Sequence, residues 1–317
     1  MTQMSLQRVV FFGTPAFAVP SLRRLIEEGH QVVAAVAQPD RPSGRGRKLS
    51  VGAVKQEARS RGIPVLQPER LRDEGFLAEL SALRADLGVV AAYGKILPAA
   101  VLDTPRLGLL NVHASLLPRW RGASPVHRAV MAGDTETGVS IMRVVQALDA
   151  GPVLDTARRP IGPDETSEEV ERDLSVMGAD LLVRVVAALA SGDARQTPQD
   201  DSQATYAPVL KKEEGLIRWE RDARAIHDQV RGLHPWPRAF TSIEGVHVIV
   251  HRSSVESEDG TPGLPGEIRS VSRSGIVVAA GRGSVRLLQL QAEGRRSLEA
   301  REFAIGSRLR AGSRFDA

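Results

Sequence analysis

The first two thirds of the chain alternate short, almost wholly apolar runs with stretches of helical spacing. That alternation restricts the fold more than any other feature. RVVFFG, QVVAAVAQ, IPVLQP, DLGVVAAYG, LGLLNVH and TGVSIMRVV read as strands. Between them lie PAFAVPSLRRLIEEGH, KQEARSRG, GFLAELSALRA and ASPVHRAVMAG. The first of these has Phe17, Leu22, Leu25 and Ile26 at helical spacing, with Gly29 as a stop. Strands that are apolar throughout and separated by helices predict a parallel sheet covered on both faces. A long helix follows. Thr166 and Glu169 form a capping-box pattern at its start, and Gly192 sits just past its last periodic residue.

The pattern then changes. TPQDDSQAT is polar and lacks apolar periodicity, so residues 193–207 are expected to link a domain over 1–192 to one over 208–317. The second region opens on a helix, ARAIHDQVRGL, and continues as short alternating segments punctuated by Gly, Ser and Pro. That spacing predicts a small all-β barrel or sandwich. With 317 residues, two domains fit the usual domain size. The absence of cysteine rules out disulfides and thiolate metal sites. No uncharged apolar run reaches the roughly 18 residues that a bilayer crossing needs, and the N-terminus lacks a signal-peptide layout. A cytoplasmic protein is expected. The net charge of +4 lies wholly in residues 208–317, where 18 Lys and Arg face 14 Asp and Glu. Local basicity of this size fits either a polyanionic partner or a solvated arginine-rich surface.

Chemistry-bearing residues cluster in a few places. In NVHASLLPRWRG, strand alternation puts Asn111 and His113 on one side, at the carboxyl end of a strand. Ligands of open α/β sheets bind beyond such ends. A His there can accept a proton near neutral pH, and an Asn amide can donate to an oxygen gaining negative charge. A hydrogen-bonded core His beside a strand-ending Asn is the competing reading. In ALDAGPVL, Asp149 stands at a turn from which a carboxylate could orient His113. There is no G-x-S-x-G elbow, cysteine nucleophile or H-E-x-x-H, so neither a covalent acyl-enzyme nor a metal is expected. Asn, His and Asp without a protein nucleophile suit acyl or formyl transfer in which the substrate amine attacks. In QPDRPSGRGRKL, Arg41, Arg45, Arg47 and Lys48 sit among prolines and glycines. This predicts an exposed, mobile loop that either grips phosphates or is merely solvated.

Taken together, these segments resemble the folate-dependent formyltransferases. The likeness is carried by NVHASLLP and the LDAG turn, and it extends to FGTPAFAVPSL, VVAAYGKILP, IRW and HPWPRAF. It runs from about residue 8 to 315 and is widest with the branch acting on initiator methionyl-tRNA. The resemblance implies a Rossmann-like formyltransferase domain followed by an OB-like β-barrel that contacts tRNA. It implies 10-formyltetrahydrofolate as formyl donor, and initiator methionyl-tRNA as acceptor in translation initiation. It implies a monomer that needs no membrane. By motif match, Asn111, His113 and Asp149 would be catalytic, and Ser115, Leu116, Leu117 and Pro118 would hold the folate. Arg41, Arg45, Arg47 and Lys48 would reach the tRNA. The resemblance assigns nothing to the basic tail PRWRG, which is expected to line the way to the tRNA end. A same-family enzyme acting on a nucleotide-linked amino sugar is the nearest alternative, but a small sugar gives no reason for the GRGRK loop. The ribotide-formylating relative lacks a comparable second domain. A non-catalytic RNA-binding protein is a further alternative, opposed by the intact Asn111, His113 and Asp149.

Overall fold

A computed structural model describes residues 8–43, 48–260 and 263–316. The chain divides into two compact units. One comprises the chain up to Ala123 with Gly138–Arg159 and Glu171–Ala207. The other comprises Ser124–Thr137, Pro160–Val170 and the chain from Pro208 onward.

The first unit is built on β1 (Arg8–Gly13), β2 (Gln31–Val36), β5 (Val65–Leu66), β6 (Leu87–Ala91), β7 (Leu109–His113), β9 (Glu136–Arg143) and β10 (Val153–Pro160). They form one sheet in the order β10-β9-β7-β6-β1-β2-β5. From β5 to β7 all neighbours are parallel. Val9 to Phe12 of β1 are fully buried, as a central strand covered on both faces requires. The helices are α1 (Val19–Glu27), α2 (Ala53–Ser60), α3 (Glu74–Ala82) and α4 (Ala99–Leu102). On one face, Val10 and Phe12 pack with Phe76, Leu80 and Val101. On the other run α1 and the long α6 (Ser167–Ser191), joined by Arg24 and Asp180 at 3.0 Å.

Two features differ from the expected all-parallel sheet. β9 runs antiparallel to β7, and β10 extends the sheet beyond it. The helix between β7 and β9 in the chain, α5 (Pro125–Met131), belongs to the second unit. β9 returns alongside β7 in the opposite direction, a pairing that needs no crossover helix. The basic segment also differs from a simple loop. Arg41–Ser43 (β3) and Lys48–Ser50 (β4) pair as a short antiparallel ladder.

The ends of α6 match the sequence reading. Thr166 N–H donates to Glu169 Oε2 at 2.8 Å, and Gly192 takes a left-handed φ of 82°. The expectation about membrane length needs correcting. α6 contains a stretch of mean hydropathy 1.7 that is long and apolar enough to cross a bilayer, and half of that stretch is buried. A search for uncharged runs misses it because isolated charges such as Asp180 interrupt the run. The same composition serves a helix that packs on a sheet, as its buried Leu174, Leu181, Leu182 and Val186 do here.

Residues 193–207 are tied to the first unit. Thr197 bridges Val153, and Tyr206–Ala207 (β11) pairs in parallel with Arg121–Gly122 (β8).

In the second unit, β12 (Ala239–Ile243), β13 (Val246–Ser257), β14 (Ile268–Ser272), β15 (Gly275–Ala279), β16 (Ser284–Ala292) and β17 (Leu298–Glu299) form an antiparallel sheet. Its order is β12-β13-β16-β15-β14, with β17 on β16. The long β13 carries register shifts near Arg252 and Val255, which bend it. The two edges meet through the chain's last described residues. Arg314 bridges Glu267 beside β14, and Asp316 bridges Ser242 on β12. The sheet is thereby closed into a small barrel. Trp219, Phe303, Phe315, Leu287 and Leu290 fill it together with Ile226 and Val230 of α7 (Ala223–Gly232) and Ala304 of α8 (Ala300–Gly306).

Candidate active site

The register of β7 decides where its polar side chains point. Leu109, Asn111 and His113 share one face, and Val112 points to the other, toward Gly178 of α6. Asn111 lies opposite Val90 of β6, half-buried. His113 ends the strand and is 5% exposed.

His113 Nε2 lies 3.0 Å from the Trp120 carbonyl oxygen. A carbonyl only accepts, so Nε2 carries the proton and donates it. Nδ1 faces Asp149 Oδ2 at 3.8 Å. That carboxylate oxygen also accepts from Gly122 N–H at 2.8 Å. The imidazole is thus held by a backbone carbonyl on one side and faces a carboxylate on the other.

Both groups that flank the ring come from residues in the left-handed region. Trp120 has φ 61° and Asp149 has φ 47°. Asp tolerates this conformation through local hydrogen bonding, whereas a bulky Trp rarely adopts it. Such strain is of the order of 1–3 kcal/mol per residue and gathers at sites where a group must be aimed.

The turn after β7 is fixed from β9. Ser140, register partner of His113, donates its hydroxyl to Ser115 O at 2.8 Å and accepts from Leu117 N–H at 3.1 Å. Ser115 Oγ in turn donates to Arg119 O at 2.7 Å. The Leu117–Pro118 peptide is cis. Ser115 is fully buried, while Leu116, Leu117 and Pro118 are half-buried.

The structure therefore brings Asn111, His113 and the Ser115–Pro118 turn to the carboxyl end of β7, with Asp149 beside the imidazole. Residues 7–186 match the formyl transferase family, and residues 209–308 match the formyl transferase C-terminal domain. The chain belongs to the formyl transferase family. Methionyl-tRNA formyltransferase of Sorangium cellulosum is 47% identical over 306 residues, covering 96% of this chain and 98% of the relative. The Coxiella burnetii methionyl-tRNA formyltransferase is 48% identical over 304 residues, covering 95% and 96%. Among solved structures, an N-formyltransferase from Helicobacter canadensis in complex with folinic acid and dTDP-3-aminofucose superposes with a TM-score of 0.68 at 15% identity. It covers 90% of this chain and all of that one. HypX from Aquifex aeolicus in complex with tetrahydrofolic acid gives 0.65 at 17% identity, covering 95% of this chain and 47% of its own. At these identities the two structures establish the fold that this formyltransferase shares.

Of the basic residues singled out in sequence, Arg41 is exposed on β3. Lys48 begins β4. Arg45 and Arg47 lie outside the described residues. The PRWRG tail departs from a uniform cationic lining. Arg119 is exposed and sits 5.6 Å over the Trp120 ring, whereas Arg121 is 4% exposed and turned inward. Sequence reasoning missed Ser140, the Trp120 carbonyl and the Gly122 amide. The last two are backbone groups that any residue type supplies, so only the two adjacent glycine-flanked turns hinted at them.

Proposed function

We propose that this chain transfers the formyl group of 10-formyltetrahydrofolate to the amino group of methionine on initiator methionyl-tRNA, in translation initiation. The observation that carries the reading is the buried His113, held through Nε2 by Trp120 O and faced at Nδ1 by Asp149, on the same strand face as Asn111. The near-full-length identity to methionyl-tRNA formyltransferases supports the choice of acceptor.

In the transfer, an N–C bond forms from the amine to the formyl carbon, and the bond from that carbon to the folate nitrogen breaks. One proton leaves the amine and one reaches the folate nitrogen. Among the described residues no protein group is hydrogen-bonded to the Asn111 amide, which leaves it free to donate to the formyl oxygen as negative charge builds there. His113 takes the amine proton at Nδ1, and the Asp149 carboxylate balances the imidazolium. Ser115 already spends its hydroxyl on Arg119 O, so its part in folate binding is to shape the turn. Leu116, Leu117 and Pro118 would meet the folate directly. Arg41, Arg45, Arg47 and Lys48 would neutralise phosphates at the acceptor end of the tRNA.

The test is an acceptor assay with 10-formyltetrahydrofolate and, in parallel, charged initiator tRNA or a nucleotide-linked amino sugar. Formylation of the tRNA is expected. No transfer to it at saturating donor, or transfer to the sugar instead, refutes the reading. Arg45→Ala in the same assay should weaken use of tRNA and leave folate binding intact. Lost folate binding would rule out its role on the tRNA.

A further inference from the structure

Segment 193–207 reads in sequence as a plain linker, yet one of its side chains reaches the loop that carries Asp149. The Gln199 amide nitrogen donates to Asp149 O at 2.8 Å and to Gly151 O at 2.7 Å. Its oxygen accepts from Arg121 Nε at 3.0 Å and Nη2 at 2.8 Å. The orientation of this amide is fixed by its partners. Carbonyls only accept and a guanidinium only donates, so a flipped amide would break all four bonds.

Arg121 needs such a partner. It is 4% exposed, and its second contact is Asp201 Oδ1 at 2.7 Å. A buried guanidinium is tolerated only when its donors are met. Arg121 is also flanked by the two backbone groups that build the site, since Trp120 O accepts from His113 and Gly122 N–H donates to Asp149. The same strap fixes these neighbours through Thr205. Trp120 N–H donates to Thr205 Oγ1 at 2.9 Å and Arg121 N–H to Thr205 O at 2.8 Å. Gln199 thus joins the two loops whose relative position sets the distance between Asp149 and His113. Asp149 gains most from this, because its backbone is in the left-handed region and would relax if released.

We propose that Gln199 is a positioning residue for catalysis, holding the Asp149 loop against the Trp120–Gly122 segment so that the carboxylate faces His113. The inference rests on the catalytic reading of Asp149 given above. Gln199→Glu tests it with almost no change of shape. The Arg121 contact is kept, but both donors are lost and a carboxylate is set against two carbonyl oxygens. Roughly tenfold or greater loss of kcat is expected, because displacement of a catalytic group by about 1 Å can cost a hundredfold. KM for folate and for tRNA should change little. Asp149→Asn supplies the decisive comparison. If Gln199 acts through Asp149, adding Gln199→Glu to Asp149→Asn should cause no further loss.

A wild-type kcat for Gln199→Glu overturns the proposal. So does a double variant whose losses multiply, since Gln199 would then act elsewhere. Wild-type activity in Asp149→Asn alone would instead defeat the catalytic reading beneath it. Should Gln199→Glu fail to fold, Gln199→Met keeps the length without the hydrogen bonds, and the same comparisons apply.

Discussion

Replacing Gly178 by alanine sets two opposing effects against each other on α6. Glycine inside a helix is less favourable than alanine by about 1 kcal/mol, so the substitution should stabilise an isolated helix by that amount. In the folded protein the added Cβ would lie 2.7 Å from Val112 Cγ1 and 3.2 Å from Val139 Cγ1. Carbon atoms prefer about 3.6 Å, so the helix or β7 must yield by about 0.9 Å. Overpacking of this kind costs about 1–3 kcal/mol, which outweighs the propensity gain and leaves a net loss of up to about 2 kcal/mol. The site magnifies the effect, because Val112 lies between Asn111 and His113 on the same strand. If β7 yields, both side chains move by a large fraction of an ångström, and kcat should fall on the order of tenfold to a hundredfold. Urea unfolding reads the first quantity and formyl transfer to charged initiator tRNA reads the second. Val112→Ala removes the nearest atom that the new Cβ meets, Val112 Cγ1, so combining the two should restore much of kcat. A Gly178→Ala protein more stable than wild type with full kcat would show that helix and strand do not approach this closely. Failure of Val112→Ala to rescue would show that the strain is relieved elsewhere.

Asn111→Ala should lower turnover by roughly a hundredfold or more while KM moves little, and unchanged turnover would remove the oxyanion role from Asn111. Thr166→Ala removes the cap of α6 and should cost about 1 kcal/mol of stability at neutral pH, measured by urea unfolding. The hydrogen bonds from Thr166, with a smaller contribution from Arg252, pull the Glu169 carboxyl down to about 2. A depressed folded value contributes stability above the ordinary carboxyl range that is lost as pH falls toward 2. The gap between wild type and Thr166→Ala should therefore shrink between pH 4.5 and 2, and a gap constant with pH would refute the assignment. Phe315→Ala, at a site 1% exposed where the ring stacks 5.7 Å from Trp219, should destabilise the barrel by about 3–5 kcal/mol, read from denaturant unfolding followed by Trp fluorescence. A shift under 1 kcal/mol would mean that the ring is not part of the core.

The parallel core was legible because β1, β2, β6 and β7 are buried on both faces and carry little besides apolar residues. β10 was not, since VLDTARRP lies near the surface and its side chains carry no clear apolar alternation. Nor was the direction of β9, because an apolar run has the same composition whichever way it travels. At the site, Asn111 and His113 were legible as polar residues interrupting an apolar strand two positions apart. Asp149 was a weak candidate on its own, as its turn looks like many others, and likeness to a family strengthened its link to them. The grip on His113 and Asp149 comes from Trp120 O and Gly122 N–H, and backbone groups leave no mark in composition. Gln199 was hidden for a related reason. Its partners are two carbonyls and one distant arginine, so its polar surroundings resemble a solvated connector.

The closure of the barrel by Arg314–Asp316 has a consequence for the order in which this protein is made. Every strand of the first unit has been synthesised by residue 207, so that sheet can form while the rest of the chain is still being translated. The barrel cannot do the same. Ser124–Thr137 and Pro160–Val170 emerge early but belong to a unit whose edges at β12 and β14 stay unpaired until Asp316 has left the ribosome. Until then the nascent chain carries a formed sheet beside two open strand edges, which are templates for pairing with other chains. A ribosome that pauses before Arg314–Asp316 have emerged therefore holds this protein with both edges of the barrel sheet open.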